Sequence, residues 1–151
     1  MSRPRAAGIV TAMTAPPPTR REAIAAFVPS SPFVGHLGIR LEELELDRAV
    51  LSLPFDERLA TFGDVVHGGA IATLIDTAGM TVAWSDSEPA ESLRGATVSM
   101  NVDYVAAARG TDLRAVATVL RRGGTLCFCE VSVTDDTGTV VARGSVVHRF
   151  G

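Results

Sequence analysis

The stretch His67–Met80, HGGAIATLIDTAGM, is apolar enough for a buried helix yet carries Asp76 in its middle. From Gly68 to about Trp84 the apolar residues Ile71, Leu74, Ile75, Ala78, Met80, Val82 and Trp84 fall on every side of a 3.6-residue period. Such a helix is buried on most of its faces. An ionised carboxylate away from water is normally paired, protonated or functional. Asp76 therefore either lies on a wet stripe, pairs with an arginine, or does chemistry, and the flanks Leu74, Ile75 and Ala78 weigh against a wet stripe.

The start of this helix adds a second chemical feature. Gly68 and Gly69 follow His67 directly. Free N–H groups at a helix start carry partial positive charge, and glycine lets a ligand approach the backbone. That is a cradle for a developing oxyanion, although a Gly-Gly pair alone also reads as a plain loop-to-helix turn. Gly68 and Asp76 are eight residues apart, or about 12 Å along a helix axis. A carbonyl bound at Gly68 is out of reach of Asp76 on the same helix. If both groups serve one reaction, Asp76 must come from a second copy lying antiparallel across a twofold axis.

Outward from the helix, the chain reads as one α+β domain. Its 151 residues, 46% hydrophobic and 21% charged, suit a single globular core. IRLEELEL (39–46), with a slip in its alternation, and RAVLSLPF (48–55) predict a hairpin with a tight turn at Asp47–Arg48. SSPFVGHLG and DERLATFGDVVHGG read as loops, the first because Pro32, Gly35 and Gly38 break regular structure. From Leu93 onward the period is two: Ala96, Val98, Met100, Val102 and Tyr104 share one face, and three more strands follow behind short connectors. A strand pair, one buried helix and about four antiparallel strands make a curved sheet wrapped around a long central helix, the hotdog arrangement. Residues 1–30 read as a flexible extension with a short helix over 20–28, and 31–151 as the domain.

Composition excludes several functions. The net charge is −3, and although all 14 basic residues are arginines, no basic face stands out, so no nucleic-acid partner is expected. Asp76 and three threonines argue against a membrane span at 68–84. The N-terminal apolar patch is short for a secretory signal and holds Gly8 and Thr11. Cys127 and Cys129, two apart on a strand, are poorly placed for a disulfide and, with three histidines in the chain, do not suggest a metal site. Two reduced thiols fit a cytoplasmic protein.

GDVVHGGAIATLIDTAGM, with its HGG-x6-D spacing, resembles the helix motif of the PaaI-type hotdog thioesterases. SPFVGHLGIRLEELELDRAVLSLPF, VSMNVDYV and GGTLCFCEVSVTDDTGTVVARGSVV resemble that family's flanking segments, so the likeness spans about residues 31–149. The resemblance implies hydrolysis of acyl-coenzyme A by dimers that pair into tetramers, with no cofactor beyond the coenzyme A of the substrate. Carried over by position, the Gly68 N–H polarises the thioester carbonyl, Asp76 activates water or attacks directly, His67 positions the turn, and Thr97 helps hold the carboxylate or water. Thr61 stands where the family commonly has an Asn, which puts efficiency and substrate preference in question. Gly69 is a candidate substrate-binding residue, Phe62, Val65, Met80 and Trp84 are candidates for the acyl slot, and Arg109, Arg121 and Arg122 for the coenzyme phosphates. Two alternatives share the fold: a hydratase of enoyl thioesters using Asp64 and His67, and a non-catalytic acyl-coenzyme A binder.

Overall fold

The computed structural model describes residues 15–151, so residues 1–14 of the extension expected at 1–30 lie outside the described residues. Two short helices lead in: α1 (Arg20–Ser30) and α2 (Pro32–Leu37). The hairpin β1 (Arg40–Glu45) and β2 (Arg48–Leu53) comes next, then a 3-10 turn at Glu57–Leu59 and the small pair β3 (Ala60–Phe62) and β4 (Val65–Val66). The central helix α3 (Gly68–Ala83) precedes four long strands: β5 (Gly95–Tyr104), β6 (Leu113–Arg122), β7 (Leu126–Thr134) and β8 (Val140–Phe150). Six strands form one antiparallel sheet in the order β1-β2-β6-β7-β8-β5, with α3 packed on β2, β5, β6, β7 and β8. This is the expected hotdog arrangement. Among the described residues no helix is long and apolar enough to cross a membrane.

Local differences from the sequence reading have local causes. The segment expected as a loop at 30–38 holds α2, because two of its three breakers sit at the helix ends and Gly35 is accommodated inside. Pro32 opens the first turn, and Gly38, at φ 78°, closes it in the left-handed region. The hairpin turn falls on Leu46–Asp47, with Asp47 at φ 59°, so Arg48 already belongs to β2. The slip in β1 is a bulge between Leu41 and Glu43. Helix α1 starts with a reciprocal capping box between Thr19 and Glu22 and sinks Ile24 and Val28 into the main core.

Helix α3 meets the sheet through small residues. Leu74, Ile75, Ala78 and Val82 are wholly buried. A Cβ built on Gly79 would lie 2.7 Å from the Val146 Cβ, and one on Gly144 would lie 2.5 Å from Ile75 Cγ2. Helix and β8 therefore approach more closely than side chains at these positions allow. Gly79→Ala is expected to cost about 1–3 kcal/mol through overpacking, read as a lowered thermal midpoint against the parent. Thr73, Thr77 and Thr81 add no unsatisfied groups, since each hydroxyl donates to the carbonyl four residues earlier at 2.6–2.8 Å.

One stripe of α3 escapes the sheet. Gly69 is exposed, and Ala72, Thr73, Asp76 and Met80 are only half-buried. Asp76 is on this stripe, which answers why an apolar helix tolerates it.

Candidate active site

At the start of α3, His67 takes the N-cap in extended conformation (φ −63°, ψ 133°). Its Nδ1 accepts from the Gly69 N–H at 2.8 Å, and its carbonyl accepts from Ala70 and Ile71. The Gly68 N–H donates to nothing among the described residues. It is a helix-start donor without a protein partner among the described residues, the condition a preorganised oxyanion donor would have to meet. Gly69, expected to hold substrate, has its N–H occupied by the cap; a Cβ there would sit 2.9 Å from His67 Nδ1, so glycine makes room for the histidine.

Tyr104 completes this end of the helix. Its hydroxyl donates to the Gly68 carbonyl at 2.9 Å, and its ring would stand 3.3 Å from any Cβ at position 68. Sequence reasoning placed Tyr104 on the β5 face without giving it a role. Its one visible signal was being the sole tyrosine in the chain. A cleft of about 450 Å³ opens here, lined by Thr61, Val65, Gly68, Ile71, Tyr104 and Ala106 among others. Thr61 and Val65 thus converge on Gly68. Phe62, at the end of β3, is 70% exposed and outside this cleft. A second, apolar cleft of about 220 Å³ lies between α2 and α3, with Phe33, Leu37, Leu59 and Ala70 facing His67 and Arg58.

Midway along α3, Asp76 Oδ1 accepts from the Thr97 hydroxyl at 2.6 Å. Strict alternation along β5 puts Thr97 on the face opposite Val98 and Met100. A bulge between Thr97 and Ser99 leaves Val98 without a cross-strand partner and turns Thr97 inward, opposite His148 on β8. The expected face of Ala96, Val98, Met100, Val102 and Tyr104 is therefore broken at Val98: Thr97, Met100, Val102 and Tyr104 stand opposite His148, Val146, Gly144 and Ala142, and of these Thr97 and Val102 are half-buried while Met100 and Tyr104 stay exposed at the sheet edge.

The far end of α3 does other work. Trp84 is buried, donates from Nε1 to His148 Nε2 at 2.9 Å, packs edge-on to Phe150 and lies beneath the Arg20 guanidinium. It does not join the Gly68 end. Met80 stands one turn beyond Asp76 on the half-buried stripe. Arg122, expected to meet phosphate, instead caps α3: it donates to the Ala83 carbonyl and pairs with Asp47 at 2.7 Å and Asp86 at 3.1 Å. The reason is electrostatic, because the last turn of α3 carries no basic residue and its carbonyls need a cation from elsewhere. Arg121 is exposed, and Arg109 pairs loosely with Asp64 at 3.4 Å. Among the described residues no group of three His, Cys, Asp or Glu side chains could hold a metal ion.

Within one protomer, then, the free N–H and the carboxylate remain eight residues apart on one helix, about 12 Å along its axis. Comparison with known proteins identifies the family. The pattern of the thioesterase superfamily covers residues 63–142. Human acyl-coenzyme A thioesterase 13 is 31% identical over 142 residues, covering 92% of this chain and 99% of that protein. A solved structure from the thioesterase superfamily superposes with a TM-score of 0.76 at 32% identity, covering 87% of this chain and 98% of the other. The E. coli PaaI protein shares the fold, with a TM-score of 0.77 at 20% identity over 87% and 94% of the two chains. The family pattern and these relatives agree, and the chain belongs to the thioesterase superfamily as a hotdog-fold thioester hydrolase.

Proposed function

We propose that the protein hydrolyses acyl-coenzyme A thioesters to the free acid and coenzyme A, at sites shared between two protomers. The observation that carries this reading is the pairing of an unused Gly68 N–H with an Asp76 carboxylate on the one stripe of α3 that the sheet leaves open. Gly68 of one protomer donates to the carbonyl oxygen as negative charge develops there. Asp76 of the other takes a proton from water as its oxygen attacks the acyl carbon, or attacks directly and is released by water in a second step. The carbon–sulfur bond breaks, and the sulfur leaves as the coenzyme A thiol after accepting a proton.

The sheet edges favour such a dimer. The β1 edge carries Arg40, Glu42, Glu43 and Glu45 and a bulge, features that discourage strand addition. The β5 edge instead exposes Val98, Met100 and Tyr104. Pairing β5 with its symmetry mate brings the open stripes of two α3 helices together, antiparallel, with each Gly68 near the other's Asp76. Pairs of such dimers form the tetramer that the resemblance implies. Tyr104 holds the Gly68 turn, His67 fixes its cap, and Thr61 offers a single hydroxyl to the carbonyl end of the substrate. Val65 and Met80 line the acyl path, while the exposed Arg109 and Arg121 remain for the coenzyme phosphates. The two unpaired thiols, Cys127 and Cys129, support a cytoplasmic setting.

A panel of straight-chain and aryl acyl-coenzyme A esters, followed by thiol release, tests the reading. Turnover of at least one class is expected. Tight binding without thiol release, or loss of an enoyl double bond without it, would replace hydrolysis by carriage or hydration.

A further inference from the structure

His148 lies behind the Thr97–Asp76 pair and has no part in the mechanism above. It is 2% exposed on β8, and its side chain is the cross-strand neighbour of Thr97 on one side and of Cys127 on the other. The indole N–H of Trp84 can only donate, so the 2.9 Å bond to Nε2 makes that nitrogen an acceptor. The neutral ring then carries its proton on Nδ1. Gly95 packs against the same edge of the ring: a Cβ there would lie 2.6 Å from Nε2. The ring is thus fixed in orientation as well as in tautomer.

The remaining nitrogen is the anomaly. His148 Nδ1 is the buried side-chain polar atom that lacks a hydrogen-bond partner among the described residues. Leaving such a donor unsatisfied is costly, so a group held this firmly calls for an acceptor. Burial lowers the proton affinity of the ring and keeps it neutral, while the nearby charge of Asp76 acts in the opposite sense. Thr97, the cross-strand neighbour of His148, donates to Asp76 at 2.6 Å, which brings the carboxylate to the same side of the sheet as the imidazole. Thr97 occupies one carboxylate oxygen, Oδ1.

We infer that His148 is a positioning residue for Asp76, its Nδ1–H steadying the carboxylate from the sheet side through one bridging water. A direct bond is not made, and a water that satisfies both a buried donor and a carboxylate oxygen is a normal solution. Thr97 and His148 then hold the carboxylate from two directions, and Trp84 sets which nitrogen does so. This role rests on Asp76 acting as base or nucleophile.

The test uses the full-length protein with ¹⁵N-labelled histidine. The His148 ring should appear as the Nδ1–H tautomer, and Asp76→Asn should move its Nδ1 resonance. His148→Phe, which keeps an aromatic ring beside Trp84 and Phe150, should lower kcat about tenfold with KM within about twofold, as removal of an interaction used in the chemical step requires. His148→Asn, whose amide N–H falls near the Nδ1 position, should recover most of kcat. An Nδ1 signal indifferent to Asp76→Asn, or a folded His148→Phe protein with parental kcat, overturns the proposal while leaving Asp76 in place. Should His148→Phe fail to fold, the two spectra decide. If Asp76→Asn itself keeps parental kcat, the underlying reading falls and this role with it.

Discussion

Asp76→Asn is expected to abolish most turnover while leaving the fold intact. Asparagine has the same shape, and its Oδ1 can still accept the Thr97 hydroxyl that now binds Asp76 at 2.6 Å. What it lacks is the capacity to take a proton from water or to attack carbon. General-base catalysis contributes about 10²–10⁴-fold, equivalent to roughly 3–5 kcal/mol of barrier at about 1.4 kcal/mol per tenfold. The loss should lie in kcat with KM little changed, since Gly68 and the clefts near it are untouched. Thiol-release kinetics and a thermal melt on the same preparation check it. A folded Asp76→Asn protein with unchanged kcat would remove the carboxylate from the mechanism.

Two inactive variants should restore one another when mixed, and this is the sharpest consequence of a shared site. Gly68→Pro removes the free N–H at the helical position proline tolerates best. His67, at φ −63° and ψ 133°, already has the extended backbone that a residue before proline prefers. The Tyr104 ring, 3.3 Å from a new Cβ, must give by a few tenths of an ångström. A mixed dimer of Gly68→Pro and Asp76→Asn carries one site with both changes and one with neither. Random assembly makes half the dimers mixed, so co-expressed chains should show about one quarter of parental activity where each variant alone shows about one hundredth or less. Purified mixed dimers, selected by two different tags, should reach about half. Activity no greater than the average of the two variants would place a complete site inside one protomer.

Much of the architecture was legible because it rests on local periodicity. The limits of α3 follow from His67-Gly68-Gly69 at one end and the SDSEP break after Trp84 at the other, and the helix found is Gly68–Ala83 with Trp84 as its cap. Asp76 stood out because a charge among Leu74, Ile75 and Ala78 demands a partner. The segment 30–38 hides its helix because proline and glycine look like breakers; Pro32 and Gly38 mark the ends of α2 and so delimit it, while Gly35 lies within it. Arg122 misled for the opposite reason. Its task is to neutralise the carbonyl end of a helix 39 residues away in sequence, and nothing in its own strand signals that.

By itself the sequence determined an antiparallel sheet around one buried helix, an amide-rich start to that helix, and a carboxylate eight residues further along. Those features follow from spacing within single elements. Only the tertiary structure decided that His67 consumes the Gly69 amide and leaves that of Gly68, that Thr97 turns inward to Asp76, and that His148 stands behind them. Each depends on strand register, on a bulge that inverts alternation, or on a side chain folding back on its own helix, and these are fixed by pairing between elements rather than by the pattern along one.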